Sequence, residues 1–352
     1  MEPVTGKADI TPPRKVSAAS RGRPVPETPW QTVRDRAVRA ITSRELNPAP
    51  HVVRLGIQRG TGFMEILHLN IENFAVFPHP AFQMIAVLLM VGYGAHLAFS
   101  AYFLAASTQI APRYRLVPWL SAVVMLAAGL SLLREYSVWT ETMIFTGTGW
   151  TRDSQEIFSN AYRYANWTIT IPLLLGQLLV ALKLPRKEMH SLFPKLVVAA
   201  LLMIWTGLFG QFYEEANVVT MLIWGAVSTV PFVYLVIAVK RALSRSKSYT
   251  PAPLHPWLDK LFPYFLFFWG LYAIAYMVPA FSDGATAAVV RQFMYTLADI
   301  GSKLVYGVIL SRFVLRRSAY EGYGPALEAM GGDIVPEDEA GSSGAEHTKV
   351  HA

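Results

Sequence analysis

Lys303 is the residue best placed for covalent chemistry. It lies in the stretch 292–314, QFMYTLADIGSKLVYGVILSRFV, which is long and apolar enough to cross a bilayer yet carries Asp299 and Lys303 near its middle. Each such charge costs on the order of 3 kcal/mol at a membrane centre, so an ionisable residue there points to function. The two are four residues apart, share a helix face and can pair. A structural ion pair between helices is one reading. The other is an amine held for Schiff-base chemistry with an aldehyde, which desolvation favours.

A second constellation lies upstream in 163–177, RYANWTITIPLLLGQ. Arg163, Asn166 and Thr170 fall at i, i+3, i+7, and Gln177 follows one heptad on. On a helix they form one polar stripe. Asn, Thr and Gln are common hydrogen-bonding glue between membrane helices, but an arginine at this depth calls for an anionic partner. Trp269, Tyr272 and Tyr276 repeat the same spacing further on, as packing or as a pocket wall. In 223–229, IWGAVST, Gly225 stands where a bulky residue could have stood, a feature that close helix packing also explains.

The elements that must position these groups are seven apolar segments, at about 81–107, 116–138, 158–183, 192–213, 217–241, 258–281 and 288–315. They are too long and too apolar for surface helices, and none alternates as a membrane strand does. The whole chain agrees: 53% hydrophobic, 16% charged, with a mean hydropathy of +0.33, values that suit a polytopic membrane protein. With no cysteine among 352 residues, disulfides, thiolate metal sites and cysteine nucleophiles are excluded. The +7 charge sits mostly in the N-terminal region and between segments, a topology signal and not a nucleic-acid footprint. We find no internal repeat and no metal-ligand pattern, and read the chain as no enzyme.

Short-loop charges set the expected orientation. Arg113 and Arg115, then Lys183, Arg186 and Lys187, then Lys240, Arg241, Arg245 and Lys247, then Arg312, Arg316 and Arg317 fall on one side. Glu141, Asp153 and Glu156, then Glu214 and Glu215, then Asp283 fall on the other. Positive loops stay in the cytoplasm, so the N-terminus is expected outside and the C-terminus inside. Residues 1–79 are rich in Pro and Arg and are expected to be largely disordered, with a short amphipathic helix over 30–41. Met64 begins MEILHLNIENFAVF, a natural alternative start. The three expected parts are this extension, a membrane domain over 80–320 and a disordered cytoplasmic tail over 321–352.

Seven helices, DIGSK around Lys303 in the last, RYANWTITIPLLL in the third and the aromatic stripe in the sixth together resemble the microbial rhodopsins over roughly residues 75–320. The resemblance implies an all-α membrane fold, a seven-helix bundle with all-trans retinal bound to Lys303 as a protonated Schiff base. It places Trp167, Thr170, Gly225, Trp269, Tyr272 and Tyr276 against the chromophore and Ser228 and Thr229 near its ring. Asp299 becomes the remaining carboxylate of the counterion complex, next to Arg163. Proton pumps of the family carry a carboxylate at the place of Asn166 and usually another at that of Gln177. The trio Asn166, Thr170, Gln177 instead resembles the eubacterial chloride pumps called NTQ rhodopsins, as do SNAYRYANW, GQFYE and IWGAVST. A bacterial inner-membrane location and a homo-oligomer follow from the same resemblance. So does a carotenoid antenna beside Gly225, although helix packing explains a glycine equally well.

Charge counting supports an anion. A cationic Lys303 nitrogen and Arg163 against Asp299 leave about one net positive charge in a low-dielectric interior, which is costly unless compensated. Asn166 cannot compensate it. The amide of Asn166, the hydroxyl of Thr170 and the Lys303 nitrogen are the expected donors to a chloride, and Gln177, unable to release a proton, marks the cytoplasmic exit. A photosensor signalling through a partner, an outward proton pump and a light-gated anion channel are the alternatives.

Overall fold

A computed structural model describes residues 70–153 and 157–331. The helix expected over 30–41, the start at Met64 and Glu156 lie outside the described residues. Seven long helices run through the fold: α1 (His79–Ala106), α2 (Leu116–Thr142), α3 (Ala161–Leu182), α4 (Arg186–Gln211), α5 (Val218–Ser246), α6 (His255–Met277) and α7 (Ala285–Tyr320). Each packs on the next, and α7 closes the ring against α1. Their outer surface is as apolar as their core, with Val230 71%, Val219 67% and Leu130 60% exposed. A helix that is hydrophobic all round fits a bilayer, where its own hydrogen bonds satisfy the backbone.

The two helices with polar stripes are the ones turned inward. In α3 and α7, 61% of the apolar window is buried, against 17% in α5. α7 is not uniform: Ile300–Val305 forms a π-helical turn between the α-helical parts Ala285–Asp299 and Tyr306–Tyr320. Such bulges are rare and favour functional sites. The turn coincides with a close approach of α6. A Cβ on Gly301 would fall 2.0 Å from the Phe268 ring, so only glycine lets α6 approach here. The Tyr264 hydroxyl donates to the Gly301 carbonyl at 2.6 Å, satisfying a backbone oxygen beside the widened turn.

One end of the bundle is capped by residues that the sequence reading placed in the N-terminal extension. Asn70 and the 3₁₀ turn Ile71–Asn73 are buried, and the Ile71 amide donates to Glu214 at 2.7 Å. Phe77 exchanges backbone hydrogen bonds of 2.8 Å with Trp150 of the hairpin formed by β1 (Met143–Phe145) and β2 (Trp150–Arg152). The described residues from Asn70 to His79 therefore belong to the folded part, which the sequence reading began at 80. Glu214, read as a loop charge, is 1% exposed. It pairs with Arg291 at 2.7 Å, and Arg291 also pairs with Glu72. Burial holds the Glu214 carboxyl above the usual carboxylate range in spite of Arg291. Removing one partner from such a network strands buried charge at about 3–5 kcal/mol. Arg291→Leu is therefore expected to lower the thermal unfolding midpoint markedly, as differential scanning fluorimetry would show.

The opposite end moves the tail boundary too. Gly324–Ala329 forms α8, so the first residues after 320 are ordered. Glu321 accepts hydrogen bonds from Tyr114 at 2.7 Å and Lys183 at 2.9 Å, and pairs with Arg113 at 2.8 Å. Burial alone would raise its carboxyl; the Tyr114 and Lys183 bonds and the nearby cations outweigh burial and hold it below the ordinary range.

Candidate functional site

Lys303 sits inside the π turn and is 1% exposed. Its amine donates to Asp299 Oδ1 and to the Tyr272 hydroxyl, the latter at 2.8 Å. Tyr272 in turn donates to Asp299 Oδ1 at 2.7 Å and lies 2.9 Å from Ser302 Oγ. The other Asp299 oxygen accepts from Arg163 Nη1 at 2.6 Å. The pair expected from spacing is present, and so is the anionic partner that Arg163 required.

Arg163 has a second carboxylate. Its Nε lies 3.0 Å from Glu135 Oε2 on α2, with both side chains buried. Its Nη2 donates to Gln292 at 2.9 Å, and its guanidinium stands over the Tyr295 ring at 5.2 Å. Counting only Asp299 against Lys303 and Arg163 therefore omits a group. With Glu135 ionised the cluster sums to zero; with Glu135 protonated it sums to +1. Glu135 is the single acidic residue within 116–138, a signal in the sequence as strong as that of Asp299.

The stripe on α3 is buried throughout: Arg163 1%, Asn166 4%, Thr170 0% and Gln177 0% exposed. Asn166 Oδ1 and Gln177 Nε2 have no hydrogen-bond partner, while Gln177 Oε1 accepts from Ser121 at 3.2 Å. Thr170 departs from expectation. Its hydroxyl donates to the Asn166 carbonyl at 2.9 Å, the back-bond common to threonines in helices, so it is not a free donor to an anion. Sequence reasoning also missed His96, the one histidine within the apolar segment 81–107, fully buried with Nδ1 2.7 Å from the Gly92 carbonyl and Nε2 unpartnered.

Beside this cluster lies a cavity of about 310 Å³. Its wall includes Trp167, Gly225, Ser228, Thr229, Trp269, Tyr272 and Tyr276, seven of the expected chromophore contacts. Thr170, Asp299 and Lys303 are not in that wall; Asp299 bonds to its Trp167 and Tyr272, and Lys303 to its Tyr272. The Lys303 amine pairs with the Asp299 carboxylate and bonds to the cavity-lining Tyr272. Size, apolar aromatic walls and an adjoining amine fit an elongated apolar aldehyde such as retinal, since small-molecule sites run from roughly 300 to 1,000 Å³. Gly225 does not simply leave a gap: a Cβ there would meet Tyr276 Cε1 at 2.8 Å, so helix packing requires the glycine on one side. The neighbouring wall residue Leu222 is 37% exposed.

Residues 83–316 match the family model for bacteriorhodopsin-like proteins. The chain is 30% identical to xanthorhodopsin, a light-driven ion pump with dual chromophore, covering 71% of this chain and 99% of that one with a TM-score of 0.66. It is 29% identical to a thermophilic rhodopsin, covering 70% and 99% with a TM-score of 0.66. It is 25% identical to the green-light absorbing proteorhodopsin of Gamma-proteobacterium EBAC31A08, over 63% of this chain and 83% of that protein. The lysine, its carboxylate and arginine partners, the aromatic cavity and these likenesses agree: the chain belongs to the bacteriorhodopsin-like proteins, as a multi-pass, light-driven rhodopsin of seven helices for which the family implies a retinal chromophore.

Proposed function

We propose that this rhodopsin is an inward light-driven chloride pump of the NTQ type, with Lys303 as the retinal-bearing residue. One observation carries the reading. On the buried stripe facing the Lys303–Asp299–Arg163 cluster, the places where a proton pump needs carboxylates hold Asn166 and Gln177, both buried amides that cannot take or give a proton. Retinal, bound at Lys303, would supply a light-driven isomerisation of its own polyene chain. Arg163, bonded to Asp299 and Gln292, fixes the positive edge of the anion site. Asn166 contributes amide donors, and with the Thr170 hydroxyl engaged, the donors to chloride are the Lys303 nitrogen, the Asn166 amide and, from the rim, Arg163. Gln177, anchored by Ser121, leaves its amide for the departing anion.

The basic loops at 113–115, 183–187 and 240–247 support a cytoplasmic C-terminus by the positive-inside rule, so the cap formed by Asn70–Asn73, Glu214 and Arg291 would face outward. An outward proton pump is the second reading, favoured by Glu135 as a buried carboxylate. Glu135 contacts Arg163 and not the Lys303 amine, which argues against it as direct proton acceptor. A carotenoid antenna against Gly225 remains part of the proposal, resting on the wall position of the glycine and on the dual chromophore of xanthorhodopsin. Adding hydroxylated carotenoids should give energy transfer to retinal, and no transfer would remove the antenna. The test of the main reading is the colour of the membrane-extracted pigment. Its absorption maximum should shift on adding chloride to chloride-free buffer, and an unmoved maximum up to molar chloride would contradict it.

A further inference from the structure

Glu135 has no part in the pump described so far, yet it is fully buried against the residue that holds the anion site together. Its setting differs from that of Asp299. Asp299 accepts from Lys303, Tyr272, Arg163 and, at 3.5 Å, Trp167. Neither Glu135 oxygen receives a hydrogen bond, and Arg163 Nε at 3.0 Å is its one charged contact. The groups facing it are Arg163 from α3, Asp299, Lys303 and, across Arg163, Tyr295 from α7, and Glu72 from the N-terminal turn. From α1, Tyr93 packs on the neighbouring Tyr136, and His96 lies within electrostatic reach of Asp299 and Lys303. Arg291 is committed to Glu72 and Glu214.

With Glu135 and Asp299 ionised, Arg163 and the Lys303 nitrogen are balanced. A chloride entering that cluster would leave it at −1 in a low-dielectric interior, which is strongly disfavoured. A proton entering with the anion restores the balance. Protonating Asp299 would cost it the charge that four donors are aimed at. Protonating Glu135 disturbs one contact and gives a hydroxyl that can donate. Resting on the chloride reading above, we infer that Glu135 is the proton acceptor linked to anion uptake: each chloride bound in the dark is accompanied by one proton taken up from solution and held on Glu135.

Chloride titrations of the dark absorption spectrum test this, run on the full-length pigment over the pH range in which the visible band keeps its intensity, with proton uptake read in weakly buffered solution. In the parent protein, apparent chloride affinity should fall about tenfold per pH unit once Glu135 is ionised, with about one proton taken up per anion. Glu135→Gln should bind chloride with an affinity independent of pH and without proton uptake. Glu135→Asp, which keeps a carboxyl, should retain the coupling and guards against a folding defect in the amide variant. A parent affinity that does not change with pH overturns the inference while leaving chloride binding intact. So does undiminished proton uptake in Glu135→Gln, which would put the proton elsewhere, with His96 Nε2 the next candidate. No spectral response to chloride at any pH in either protein removes the anion reading itself, and this inference with it.

Discussion

Lys303→Ala should yield colourless protein even when retinal is supplied in excess. Lys303 is the only lysine buried in the bundle among the described residues, so no other amine is available beside the aromatic cavity. The variant should still fold. Asp299 keeps its bonds to Arg163 and Tyr272, and a buried carboxylate that retains one close cation avoids most of the roughly 3–5 kcal/mol lost when a buried charge is left alone. The measurement is the visible spectrum of purified protein, with circular dichroism to verify helix content. A pigment of normal colour in that variant would sink the whole assignment.

The second large effect is expected at Asn166. Asn166→Asp adds a carboxylate on the buried α3 stripe that carries Arg163 and lowers the charge of the proposed anion site by one, whichever state Glu135 holds. At ~4 Å and an effective dielectric near 20, one unit of repulsion against a bound anion is worth about 4 kcal/mol, or roughly a thousandfold in affinity. Relaxation and solvent reduce this, so a loss of tens- to hundreds-fold is expected at neutral pH. On acidification the new carboxylate protonates and chloride sensitivity should return. Proton pumping need not appear, because Gln177 still cannot act as donor. Chloride titrations of the absorption maximum at neutral and acid pH decide it, and unchanged affinity at neutral pH would place the anion away from residue 166.

Much of the site was legible because membrane helices make polar residues conspicuous. Lys303 and Asp299 stand out in an apolar run, and the helical period places Arg163, Asn166, Thr170 and Gln177 on one face. Spacing on one helix does not report which residues of other helices meet that face. Glu135 on α2 and His96 on α1 are each a lone acidic residue or histidine in an apolar segment, but nothing local ties them to Arg163 or Asp299. The π turn at Ile300–Val305 was hidden because it coincides with the close approach of α6 at Gly301, a tertiary contact that one helix's spacing does not report. The same holds for Thr170, whose donor capacity was counted from its side chain but is spent on its own helix. The end caps escaped because they are built from long-range bonds. Asn70 reaches Glu214 and Glu321 reaches Tyr114, and neither flanking stretch has the periodicity of a helix.

The central claim is that light moves chloride inward, and one recording tests it most directly: the pH of an unbuffered suspension of cells expressing the protein, illuminated with and without a protonophore, in chloride and then in sulfate medium. Inward chloride makes the interior negative and draws protons in passively. The account predicts alkalinisation in chloride, larger with protonophore and absent in sulfate. Acidification that the protonophore abolishes, equal in both media, would show an outward proton pump and contradict it.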